Sequence, residues 1–236
     1  HIGSYVALAS VAAREVIASR NSTLPLELLV LLFAAADALD YAAMRGLVPD
    51  QLLGVRASLS ILVLMISVIG GRIIPSFTRN WLAKNGVVGN PPRQPGPVDL
   101  GAIVVTTIAL GLWVLLPHAT ACGWALLAAG VLQGIRLAGW RGLATMANPL
   151  LFILQVGYLW LAIGLLLLGL SIVSAFVPET AAVHALGLGA IATMILAVTT
   201  RASLGHTGRE LRAPRAIVIA YFLLHLAALA RVATAF

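Results

Sequence analysis

Long apolar stretches, separated by short polar or proline-containing breaks, run along the whole chain. Each stretch is close to about twenty residues, the length that an α-helix needs to cross the ~30 Å hydrocarbon core of a bilayer. They cover residues 1–19, 24–44, 52–72, 99–117, 121–140, 149–177, 182–204 and 214–236. The pattern predicts an all-α, polytopic transmembrane helix bundle of about eight spans.

Composition agrees with this fold class. The 236 residues are 61% hydrophobic and only 10% charged, whereas about a quarter of the residues are charged in a typical soluble domain. The only long polar connection is predicted from Arg72 to Pro97, and its NPPRQPGP segment is expected to be extended. We therefore predict a single transmembrane domain, 1–236. The chain starts without methionine in an apolar stretch, so we expect it to lack an N-terminal part.

The net charge of +7 predicts an orientation rather than a nucleic-acid partner, because the basic residues lie at span ends and form no single patch. When the eight spans are threaded, only Arg45, Arg56 and Arg231 of the 15 lysines and arginines fall on one side. The other side is predicted to be cytoplasmic. Cys122 is the single cysteine, which excludes an internal disulfide and a cysteine-based zinc site.

Two carboxylates lie inside the second predicted span. Asp37 and Asp40 are three residues apart and share a helical face. Because Arg56 enters the next span from the same side, an Asp40–Arg56 ion pair is one interpretation. Asp37 has no obvious partner, so the alternative is that it carries protons.

The histidines divide by depth. His184 is predicted one turn inside the outer end of the seventh span, and His206 lies about 33 Å away at its cytoplasmic end, so one metal ion cannot bind both. His225 lies about 16 Å inside the last span. At that depth an imidazole needs either a hydrogen bond or a metal, and both interpretations stay open.

Small residues recur in the seventh span at Ala185, Gly189, Ala192 and Thr193. They allow the close approach of another helix or of a flat cofactor. Most of the five tryptophans fall near predicted span ends, and we expect them to be interfacial anchors.

Two long motifs point to a family. GGRIIPSFTRNWL, residues 70–82, and HALGLGAIATMILAVTTRASLGHTGR, residues 184–209, resemble the NnrS family of bacterial membrane proteins, and AIVIAYFLLHLAALARV resembles its last span. Family members are expected to have about twelve spans of about twenty residues, so the chain would correspond to the C-terminal two-thirds. Ser76 and Thr200 depart from residues common in the family.

The resemblance implies haem, expected to be haem b, together with copper, and a role in nitric oxide metabolism or relief of nitrosative stress. It implies no particular reaction, so whether the protein is an enzyme stays open. It also implies a bacterial inner membrane, with nitric oxide and the missing N-terminal helices as partners. His184, His225 and His1 are the predicted metal ligands.

Both motifs end at the predicted cytoplasmic side, and arginine forks suit carboxylates such as haem propionates. The predicted anion-binding set is Arg72, Arg79, Asn80, Arg201, His206 and Arg209. Charge placement and helix capping are the alternative explanation of these residues.

Two other function classes stay open. One is a proton-coupled transporter or channel for a small anionic solute, with the arginines as a gate and Asp37 as proton carrier. The other is an assembly partner of respiratory enzymes.

Overall fold

A computed structural model describes residues 24–236, with side chains from residue 31 onward. All secondary structure in this part is helical, which confirms the predicted class. The α-helices are α1 Leu24–Met44, α2 Leu53–Met65, α3 Gly71–Lys84, α4 Pro97–Leu115, α5 Thr120–Ala138, α6 Pro149–Val173, α7 Glu179–His184, α8 Thr193–His206 and α9 Arg215–Ala233. A first π segment, Ile66–Gly70, precedes α3, and a second, Ala185–Ala192, joins α7 to α8.

Six helices are long and apolar enough to cross a membrane in the part of the chain that the structure describes. They match the last six predicted spans and are Leu53–Lys84, Pro97–Leu115, Thr120–Ala138, Pro149–Val173, Glu179–His206 and Arg215–Ala233. The predicted span 1–19 lies outside the described residues. The predicted span 24–44 is helical as α1 but is not one of the six.

The third span is longer than predicted. A loop was expected from Arg72, but the helix continues through α3 to Lys84. The prediction was wrong because the polar residues from Arg72 onward were interpreted as the start of a loop, whereas the helix accommodates Pro75. Its missing N–H falls in the first turns after the π segment, where the backbone hydrogen-bond register is already changing. The 32-residue helix is about 48 Å long, more than the ~30 Å core requires.

The chain falls into two compact units, His1–Met65 and Ile66–Phe236. Whether they form one transmembrane domain stays a prediction. In the first unit α1 packs against α2. A Cβ placed on Gly54 would lie 2.4 Å from the backbone nitrogen of Asp40, so glycine permits this close approach.

The predicted Asp40–Arg56 ion pair is wrong. Arg56 pairs with Asp50 instead. Asp50 lies in the turn just before α2, six residues from Arg56. The pair therefore joins this turn to α2 and does not connect α1 with α2.

In the second unit, α6 is the central helix. It packs against α3, α5, α7, α8 and both π segments. Fourteen of its 25 residues are buried, which explains why it is apolar on all sides rather than along one stripe.

Three of the predicted tryptophan anchors are core residues. Trp113, Trp140 and Trp160 are buried, whereas Trp124 is exposed. Trp160 lies in the middle of α6, and for Trp113 and Trp140 the position near a span end did not reveal the inward direction of the ring.

Small residues of the second π segment allow close helix packing, as predicted. A Cβ placed on Gly189 would lie 2.6 Å from Cδ2 of Trp160 on α6. At Gly189 the close neighbour is therefore a helix, α6, and not the flat cofactor that was the other interpretation.

Candidate functional site

A buried polar network lies where the first π segment meets α4, α5 and α6. Its charged centre is Arg136, whose Nε donates to Oδ1 of Asp99 over 2.6 Å. The Arg136 side chain is 2% exposed and that of Asp99 7%. The second oxygen of Asp99 accepts from the backbone N–H of Gly96, which caps α4. The carboxylate thus neutralises the guanidinium and caps the N-terminus of α4 at the same time.

The network continues through neutral side chains. Nη1 of Arg136 donates to the Tyr158 hydroxyl over 2.8 Å, and that hydroxyl donates to Oε1 of Gln133 over 2.5 Å. Nε2 of Gln133 donates to the hydroxyls of Ser67 and Thr106. These partners satisfy polar groups for which hydrocarbon offers none.

The first π segment and Gly71 leave room for the buried Arg136 side chain. Nη1 also donates to the backbone carbonyl of Ser67 over 2.7 Å, within a segment whose hydrogen bonds follow the i+5 pattern. A Cβ on Gly71 would lie 2.1 Å from Nη2 of Arg136. The second glycine of the first motif therefore borders a buried guanidinium.

The two family-like motifs meet at one end of this unit. The Arg201 guanidinium lies 4.2 Å from the centroid of the Phe77 ring, a cation–π contact. Both residues line a cavity of about 270 Å³, together with Ile73 and His206. A guanidinium and an imidazole on an otherwise apolar wall can bind an anion that carries an apolar body.

The rest of the predicted anion set is not gathered at this cavity. Arg72, Arg79, Asn80 and Arg209 are not among its lining residues. Arg72 and Asn80 are exposed on α3, and Arg209 is exposed after α8. Nε of Arg79 is buried and has no hydrogen-bond partner among the described residues.

His225 has an asymmetric environment. Its Nδ1 is 2.7 Å from the backbone oxygen of Tyr221, and since a carbonyl only accepts, Nδ1 carries the proton. Nε2 is buried and has no hydrogen-bond partner in the described part of the chain. A histidine whose second nitrogen donates to a carbonyl in this way can also serve as a metal ligand.

His184 is the last residue of α7, directly before the second π segment, and is half-buried. Helix α9, which carries His225, packs against both α7 and this segment. The two predicted ligands therefore lie on neighbouring elements. His1, the third, lies outside the described residues.

No group of three or more His, Cys, Asp or Glu side chains is arranged to hold a metal ion within residues 24–236. A haem needs only one or two axial nitrogens, so His225 and His184 fit it in number and kind. Asp37, the predicted proton carrier, is half-buried on α1 in the first unit, and its role stays a prediction.

Sequence analysis missed Asp99, Gln133 and Arg136. One signal was present: Gln133 and Arg136 are three residues apart, which puts both on one face of a predicted span. A glutamine and an arginine on the same face of an apolar helix predict a buried partner.

Taken together, the six apolar helices and the polar groups between them define a polytopic α-helical membrane protein. The family model described as "NnrS protein" matches residues 1–236. The chain therefore belongs to the NnrS family. No curated protein and no solved structure matches it.

Proposed function

We propose that the protein binds haem in a bacterial inner membrane and acts in nitric oxide metabolism or the relief of nitrosative stress. Membership of the NnrS family supports this function. The observation that carries it is the buried, unpartnered Nε2 of His225, held with its lone pair free by the bond from Nδ1 to Tyr221. Haem iron, when bound, supplies a centre with affinity for nitric oxide.

The cavity beside Arg201 supports a place for the propionates. Helix α9, which carries His225, packs against α8, which carries Arg201. His225 lies ten residues after the start of α9 at Arg215, and Arg201 lies five residues before the end of α8 at His206. A haem ligated by His225 would therefore have the Arg201 cavity on the cytoplasmic side of its iron.

In this proposal each residue has a limited task. Nε2 of His225 would ligate the iron, with His184 as the second candidate ligand. Arg201 would neutralise a propionate, His206 would donate a hydrogen bond to it, and the Phe77 ring holds the guanidinium in position. Copper remains a prediction from the family resemblance, and we assign it no ligands among residues 24–236.

The test is haem content per protein after purification in mild detergent, measured as the pyridine haemochrome, in wild type, His225→Ala and His184→Ala. We expect His225→Ala to retain about a tenth of the haem or less. Even the loss of a residue that only supports a metal ligand costs about 10–100-fold in metal affinity, and the loss of the ligand itself should cost at least as much. His118→Ala, in an exposed turn, is the matched control. A wild-type Soret band should shift with nitric oxide.

Arg201→Gln tests the propionate site, with Arg212→Gln, an exposed position, as control. Haem content should fall in the first variant alone. Full haem in both His225→Ala and His184→Ala would refute the ligand assignment. Full haem in Arg201→Gln would refute only the propionate site.

A transporter or channel for a small anionic solute is the second candidate. The observation that favours it is the cation at the wall of the Arg201 cavity. Vesicles reconstituted with haem-free protein would then take up anions in response to a proton gradient, and Asp37→Asn would abolish the uptake. Absence of uptake in haem-free vesicles would exclude this candidate.

A further inference from the structure

A second cavity lies between the end of α5, the turn that precedes α6, and α6 itself. Its volume is about 420 Å³. Most of its wall is apolar, and two polar side chains, Arg141 and Gln155, contribute to it. The apolar wall residues used below are Leu143, Phe152 and Leu159.

The amide of Gln155 has a defined orientation. Its Nε2 donates to Oγ1 of Thr78 over 3.0 Å, and the Thr78 hydroxyl donates its only hydrogen to the Ile74 carbonyl over 2.9 Å. Thr78 can therefore only accept from Gln155, so the amide nitrogen must face it. Oε1 then points toward Gly142, whose Cβ, if present, would lie 3.1 Å away.

This oxygen is a buried acceptor without a donor. Gln155 is 4% exposed, and its Oε1 has no hydrogen-bond partner among the described residues. Leaving a buried acceptor unpaired costs about 1–3 kcal/mol, so a donor that enters the cavity and displaces the Gly142 turn far enough to reach Oε1 would be stabilised there.

The depth of the cavity and the chemistry of its wall limit the class of ligand that fits it. Gln155 is six residues into α6, about 9 Å from the helix start, which places it just below the headgroup level. The guanidinium of Arg141 donates to the Asn90 carbonyl over 2.7 Å. The occupant must donate a hydrogen bond to Oε1 and fill an apolar space beside the Phe152 ring. A carboxylate or a lipid phosphodiester anion has no hydrogen to donate.

We propose that this cavity binds the hydroquinone headgroup of a membrane quinol, with Gln155 Oε1 accepting a hydrogen bond from one ring hydroxyl. The flat ring lies against Phe152, and the isoprenoid tail leaves along Leu143 and Leu159. This site goes beyond the proposed function and does not depend on haem. The oxidised quinone, which has carbonyls in place of hydroxyls, cannot donate to Oε1.

The test compares two ligands that differ by two hydrogens. Decylubiquinol and decylubiquinone are titrated anaerobically into the purified full chain in phosphatidylcholine nanodiscs, and binding is measured by equilibrium dialysis. We expect the quinol to bind about five- to tenfold more tightly, which corresponds to one hydrogen bond. Equal affinities, or no saturable binding of either ligand, would overturn the proposal.

Gly142→Ala covers the acceptor with a methyl group and should reduce the quinol affinity to that of the quinone. Gly111→Ala, where the added methyl meets open space, is the matched control and should keep the preference. Gln155→Leu removes the acceptor by a second route.

A preference for the quinol that survives in both Gly142→Ala and Gln155→Leu would place quinol binding elsewhere and refute the site. Phosphatidylethanolamine that co-purifies with wild type but not with Gly142→Ala would show a lipid site instead.

Discussion

The Arg136 guanidinium donates to the backbone carbonyl of Ser67 over 2.7 Å, although 69 residues separate them in sequence. The contact ties the end of α5 to the first π segment. Together with the Asp99 carboxylate and the Tyr158 hydroxyl, it gives Nε and Nη1 of this guanidinium their acceptors inside an apolar bundle. We therefore infer that this network holds the start of the first motif in its position against α5.

Removing one member of the ion pair should cost far more than removing both charges. Arg136→Met strands the Asp99 carboxylate, for which we expect a loss of about 3–5 kcal/mol, while the double variant Arg136→Met/Asp99→Asn should recover part of it. Asparagine keeps an oxygen for the Gly96 cap. Thermal unfolding in detergent measures the relative stabilities of the wild type, the single variant and the double variant. A double variant less stable than Arg136→Met would contradict the paired-charge interpretation.

Gly71→Ala should destabilise the second unit, because its methyl group would overlap Nη2 of Arg136. Overpacking of this kind costs about 1–3 kcal/mol. Gly101→Ala, where nothing lies within 4 Å, is the control and should unfold at the wild-type temperature or above. If both variants unfold alike, the close approach is not present in the protein.

Two glycines of the second π segment should respond in opposite ways to the same change. Gly189→Ala would press a methyl group against the Trp160 ring and is expected to cost about 1–3 kcal/mol. Gly187→Ala meets open space and should be neutral or stabilising by up to about 1 kcal/mol, since alanine favours the helix. The unfolding midpoints of the two variants check this. Equal midpoints would show that Gly189 does not face Trp160.

The topology can be tested by cysteine labelling. The native Cys122 is buried, so it should not react with a membrane-impermeant maleimide. Val88→Cys and Thr207→Cys, both in exposed connections, should react from the cytoplasmic side only. Phe176→Cys, 88% exposed, should react from the opposite side only. Labelling of Val88→Cys and Thr207→Cys from opposite sides would exclude the predicted threading.

The sequence predicted the helices well, because a span of about twenty apolar residues is a local property. It did not predict the π segments or the continuation of α3. The apolar pattern through Ile66–Gly70 is the same for an α- and a π-helix, and the register change that accommodates Pro75 leaves no mark in composition.

The candidate site was predicted only where its chemistry was unusual by itself. His225 stands out because an imidazole in the middle of an apolar span needs a partner. Arg136 was counted among the basic residues at span ends, because its burial depends on Asp99, 37 residues away. Likewise, the free oxygen of Gln155 follows only from the hydrogen bonds of Thr78, on a different helix.

The close approach of Gly71 to Arg136 also has an evolutionary consequence. Position 71 accepts only a hydrogen while a guanidinium fills the adjoining space, whereas a shorter residue at 136 would release the restriction. In other NnrS proteins we therefore expect any side chain at the equivalent of position 71 to occur together with a smaller, uncharged residue at the equivalent of 136 and the loss of its acidic partner.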